Sequence, residues 1–118
     1  MNKTFDNNWR DRFDAMQGKI ADKLKKDWHV IYSAYKEDEN DLPIDNLDEV
    51  YVTKPARFIS GDGMYTSPIV KNPTWLEICL LANDMIIATQ DFHHVYLEDL
   101  LLVNREDGIH TYEFVMGS

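Results

Sequence analysis

A single cysteine, Cys79, in 118 residues excludes an internal disulfide, and a reducing cytoplasm is the simplest compartment for such a chain. Five glycines and four prolines are too few for a fibrous or low-complexity chain. No apolar run approaches the ~18 residues that span a bilayer, so no membrane association is expected. The opening stretch MNKTFDNNWR carries charges and lacks the apolar centre of a secretory signal. Basic residues are scarce, 12 against 21 acidic ones for a net charge of −9, which argues against a nucleic-acid partner. What is present is 44% hydrophobic and 12% aromatic residues. That suffices for one modest core in one domain over residues 1–118, with no metal or cofactor needed to fold it.

The charge is polarised along the chain. Residues 1–36 hold eight bases and five acids, residues 37–49 hold seven acids and no base, and residues 72–118 hold eight acids and Arg105 alone. The segment 37–49 reads as a solvated acidic loop. Two readings fit this polarity. In one, the basic N-terminal segment docks on the acidic remainder; in the other, one pole is a partner-binding surface. Arg12, Lys19, Lys23 and Lys26 share one helical stripe, the only feature suited to phosphate contacts, and the acids around it oppose that use.

The apolar residues Phe5, Trp9, Phe13, Met16, Ile20 and Leu24 recur every three or four positions, which predicts an amphipathic helix. Trp28, Ile31 and Tyr35 extend the stripe, so the helix is expected to continue to about Lys36, although WHVIYSAY also has strand character. Residues 50–59 and 64–70 around Ser60-Gly61-Asp62-Gly63 read as a hairpin, weakened by Pro55 and Pro68, which cannot donate ladder hydrogen bonds. Asn72-Pro73 and Thr74-x-x-Glu77 give two overlapping start signals for a second helix. Its body, TWLEICLLANDMIIAT, is apolar on most of its circumference and belongs at the centre of the core.

Asp107-Gly108 between apolar runs predicts a second hairpin with a two-residue turn. With that register, Val103 faces Tyr112 and Leu101 faces Phe114. The core face then carries Val95, Leu97, Leu101, Val103, Tyr112, Phe114 and Met116. The other carries His94, Tyr96, Glu98, Leu100, Leu102, Thr111, Glu113 and Val115. The fold class expected is α+β, in the order helix–hairpin–helix–hairpin, with an antiparallel sheet of about four strands and two packed helices.

The stretch from Asp91 to Asp99 holds the candidates for chemistry. On a strand, His93 and His94 point to opposite faces and cannot share one ion. His94 and Glu98 lie about 13 Å apart at ~3.3 Å per residue, too far for one metal. No metal site is therefore expected. His94, Tyr96 and Glu98 remain as weak catalytic candidates, a polar strip able to do acid–base work if a cleft desolvated it. The bland reading puts His93 at the core margin and His94 on the surface. Cys79 has no neighbouring base and reads as core packing.

The leading functional expectation is a non-catalytic intracellular accessory protein that binds another protein or its own copy. Trp9, Phe13, Met16, Ile20 and Leu24 are the candidate interaction residues, and an isologous homodimer through that stripe is the expected form. The alternatives are a small enzyme using the His93–Glu98 region, and an acidic inhibitor presenting residues 37–49 and the C-terminal acids to a basic site.

Overall fold

A computed structural model describes residues 3–24, 28–32 and 46–118, with the backbone course alone for residues 3–9, 24 and 32. The elements are α1 (Lys3–Leu24), β1 (Ile31–Tyr32), β2 (Ala56–Ile59), α2 (Trp75–Thr89), β3 (Tyr96–Glu106) and β4 (Ile109–Gly117). Two helices with a four-stranded sheet fit the α+β class. The sheet is mixed, however, in the order β1-β3-β4-β2. Strands β3 and β4 are antiparallel, while β1 runs parallel to β3 and β2 parallel to β4. The expected antiparallel sheet and hairpin order are corrected accordingly.

The first helix is described over Lys3–Leu24 and does not continue to Lys36, since residues 28–32 are not helical. Ile31 and Tyr32 instead pair with Tyr96 and Leu97, so the β-branched and aromatic character of that segment prevails over its helical spacing. Residues 33–36 and most of the acidic segment, 37–45, lie outside the described residues.

Only half of the first hairpin is a strand. β2 meets the 64–70 segment through isolated bridges at Ala56–Val70 and Ile59–Thr66. Pro68 has no N–H to give a ladder, and Ser67 fills in: its Oγ accepts from Phe58 N at 2.8 Å and donates to the Pro68 carbonyl.

Helix α2 has every early backbone donor satisfied. Trp75 N donates to Glu49 O and Leu76 N to Leu47 O, while Thr74 and Glu77 form the reciprocal capping box. Of the two start signals, the Thr74 box is the one used. Such saturation leaves no free helix end for an anion.

The core joins α2 to the inner face of the sheet: Ile78, Cys79, Ala82 and Ile86 with Phe58, Leu97, Leu100, Tyr112 and Phe114. Phe58 stacks on both Tyr112 and Phe114 at 5.7 Å. α1 packs against α2 and beside β1, adding Met16 and Ile20 to the same cluster. Asn83, polar in a greasy helix, is fully buried; its Oδ1 accepts from the backbone N–H groups of His29 and Val30, holding the approach to β1 against α2.

The Asp107-Gly108 turn forms as expected, both residues at positive φ, with Glu106 opposite Ile109. Farther along, β3 carries two bulges, between Leu97 and Asp99 and between Leu102 and Asn104. Each inserts one residue and reverses the facing of the residues beyond it. Leu102 therefore pairs with Tyr112, Leu100 with Phe114 and Leu101 with Glu113. Leu100 is buried where Leu101 and Val103 were expected to be, which corrects that face of β3. On β4 the expected inner residues Tyr112 and Phe114 are buried.

Candidate functional site

A cleft of about 440 Å³ opens among the described residues. One wall is Glu113–Met116 of β4, facing the Ser60–Asp62 turn; Met85, Ile86 and Thr89 of α2 add apolar surface, and Asp91 and His94 also line it. Its location comes from local sequence. The Ser60-Gly61-Asp62-Gly63 turn ends β2, and the left-handed Gln90 cap ends α2, so both chains leave the layer at the same end of the sheet.

Ser60, Asp62, Asp91 and His94 in this cleft are engaged in shaping turns. The Ser60 hydroxyl donates to Asp62 Oδ1 at 2.6 Å and accepts from Tyr65 N at 3.0 Å. Asp62 Oδ1 also accepts from Met64 N. These bonds, the Ser60 one foremost, hold the Asp62 carboxyl below its ordinary range, while the nearby Asp91 charge pushes the other way. Asp91 Oδ1 accepts from the backbone N–H groups of His93 and His94, and its Oδ2 lies 2.8 Å from His94 Nδ1. The His94 contact is the main reason its carboxyl also sits below the ordinary range. Phe92 holds the same turn against His29, their rings meeting edge-to-face at 4.7 Å.

The three catalytic candidates are not brought together. β3 begins only at Tyr96, so His94 lies in a bend ahead of the strand and takes Asp91 as its partner. The pairing of Tyr96 with Gly117, and the Glu98 carboxylate lying against Gly117, place both residues on the outer face of the sheet, away from the cleft. The strand geometry that would separate His93 from His94 therefore does not apply; both are exposed residues of the bend. Asp91 is the partner that sequence reasoning missed, and the signal was there: an Asp two and three residues ahead of two N–H groups favours such a turn. Among the described residues no three His, Cys, Asp or Glu side chains gather where they could hold a metal. Burial pushes the Cys79 thiol well above its usual range, which suits packing and not nucleophilic use.

The interaction candidates divide as well. Met16 and Ile20 are fully buried, and Phe13 packs against the same core. These three are taken up by the fold because α2 covers them; the side chains of Trp9 and Leu24 lie outside the described residues. In the basic stripe, Lys19 Nζ sits 3.8 Å from the Asp48 carboxylate, an exposed pair that adds little stability.

The outer face of the sheet is open and mixed, with Tyr96, Glu98, Asp99 and Glu113 sharing it with exposed apolar residues. Leu101, Val103 and Val115 are 54%, 45% and 36% exposed. The register sets Leu101 opposite Glu113 and Val115 opposite Asp99, so Leu101 and Val115 are diagonal neighbours, while Val103 is the residue inserted in β3 between Leu102 and Asn104. No helix among the described residues packs on this face, and none is long and apolar enough to cross a membrane. No protein-family model matches the chain, nor does any curated protein or solved structure.

Proposed function

We propose that the protein is a non-catalytic, cytoplasmic accessory protein that works by protein–protein contact, its own copy being the first partner. The observation that carries this reading is the outer face of the β3–β4 hairpin, where Leu101, Val103 and Val115 are exposed among the carboxylates of Asp99 and Glu113. Strands with one face on a core ordinarily alternate to polar residues on the other; three large apolar side chains exposed on one hairpin and rimmed by polar ones support an interaction surface. The surface differs from the helical stripe that the sequence offers, since the middle of that stripe is already covered. A two-fold pairing of outer faces buries the same residues from each copy.

Among the described residues the catalytic alternative finds no assembled set of groups, with His94 tied to Asp91 and Glu98 on the outer face of the sheet. The inhibitor alternative rests on the 37–49 segment, of which only residues 46–49 are described; Asp48 and Glu49 are exposed there.

Sedimentation equilibrium at micromolar concentration tests the proposal. The wild-type chain is expected to show a mass above 13.8 kDa that Leu101→Lys returns to the monomer value without unfolding it. A single wild-type species at 13.8 kDa across the range overturns self-association.

A further inference from the structure

We propose that the open edge of β4 at Phe114–Gly117 is a docking site for an extended peptide segment that carries lysine or arginine beside small apolar residues. Such a peptide would add as a strand in line with β2. This inference rests on the protein-binding reading above and gives it a second surface with a partner of defined chemistry.

The backbone supplies the first argument. β2 ends at Ile59, opposite Glu113, because the chain then turns away: Ser60 N donates to Tyr65 O and Gly63 N to Ser60 O. β4 continues to Gly117. The His110 N–H donates to Pro55 O on the side of β2, and successive residues of a strand alternate sides. Both bulges insert their extra residue in β3, so this phase of β4 is kept. Met116 accordingly directs its N–H and C=O, and Phe114 its C=O, to the side that β2 has left. Among the described residues no strand pairs there. An edge of this kind is a ready template for a further strand.

The cleft supplies the second argument. It lies along this same edge, with Phe114, Val115 and Met116 in its wall and Met85 and Ile86 adding apolar surface for alternate side chains of an added strand. Its carboxylates are Asp62, Glu113 and Asp91, the last in contact with His94, and it holds no lysine or arginine. Carboxylates around an open edge favour a cationic segment and disfavour an anionic one. They also select against a second copy at this edge, since edge-to-edge pairing of two identical chains would bring two acidic rims together. Among the described residues, the chain's own bases lie on α1, in β2, in the loops and as Arg105 on β3, so it offers no free basic strand of its own.

Fluorescence anisotropy with a labelled lysine–valine alternating peptide, titrated with the full chain, tests this. Saturable binding is expected, weakening as salt rises from about 0.05 to about 0.5 M. N-methylation of alternate peptide amides is expected to weaken it about tenfold, through loss of backbone hydrogen bonds. Asp62→Asn should weaken it less, with the fold checked by circular dichroism. In a parallel NMR titration the Met116 amide should shift on adding the peptide. Equal affinity for the N-methylated peptide, or shifts centred on Leu101 and Val103 instead of Met116, overturns the edge site and leaves the protein-binding reading in place. Absence of binding also overturns it, and sedimentation of the same sample shows separately whether self-association stands.

Discussion

On the inner face of the β3–β4 hairpin, Leu97, Leu100, Tyr112 and Phe114 are buried in the core with α2, whereas on the outer face of the same strands Leu101, Val103 and Val115 stand in solvent. Hydrophobicity does not distinguish the two sets. Position relative to the bulges does. β4 carries no inserted residue from Ile109 to Gly117, while β3 is re-phased twice, at Glu98 and Val103. The outcome is a strand with more apolar side chains than its own core can take. A strand of this composition, if its only task were to fold, would present polar residues outward. On the proposed reading, the apolar residues exposed on the outer face are the ones a partner covers.

The contrast between the faces is sharpest in stability. Phe58 is fully buried and stacks on two aromatic rings; Phe58→Ala is expected to cost about 3–5 kcal/mol in urea unfolding, against less than about 0.5 for Leu101→Ala. Comparable losses from the two would show that the outer face is packed within the monomer and would break the comparison. A second effect extends it to the helices. Asn83→Leu keeps apolar bulk in the core but leaves the N–H groups of His29 and Val30 without their acceptor, and a loss of about 1–3 kcal/mol is expected by the same measurement. The smallest effect has the opposite sign. Gly18 sits on the exposed side of α1 with nothing within 4 Å of an added Cβ, so Gly18→Ala should stabilise by about 0.5–1 kcal/mol, read as a raised denaturation midpoint.

Local signals in the sequence were legible. The Thr74–Glu77 box, the greasy body of α2 and the Asp107-Gly108 turn depend on residues within one turn of each other, and each takes the form its chemistry dictates. The bulges were not legible: nothing in YLEDLLLVN distinguishes a regular strand from one with two insertions, because Leu100, Leu101 and Leu102 are interchangeable in composition. Parallel pairing of β2 with β4 was equally hidden, since it joins segments more than fifty residues apart and has no turn to announce it. The cleft inherits that difficulty. Its turn residues Ser60, Asp62 and Asp91 can be read as Asx-type formers, but the edge of β4 is identifiable only once β2 is known to stop beside Glu113. At the other end of the chain, the spacing that extended α1 towards Lys36 was outweighed by pairing of Ile31 and Tyr32 with β3. Residues that satisfy two periodicities are settled by the neighbours they meet.

The most direct measurement is a methyl NMR dilution series on the wild-type chain, from about 1 mM down to about 10 µM, a range over which a dimer with a Kd of about 10–100 µM dissociates. The methyl signals of Leu101, Val103 and Val115 should move with concentration, while those of Ile78, Ile86 and Leu97 in the core stay fixed. Concentration-independent outer-face signals, or shifts confined to α1, would contradict the assignment of the sheet's outer face as the surface through which the protein acts.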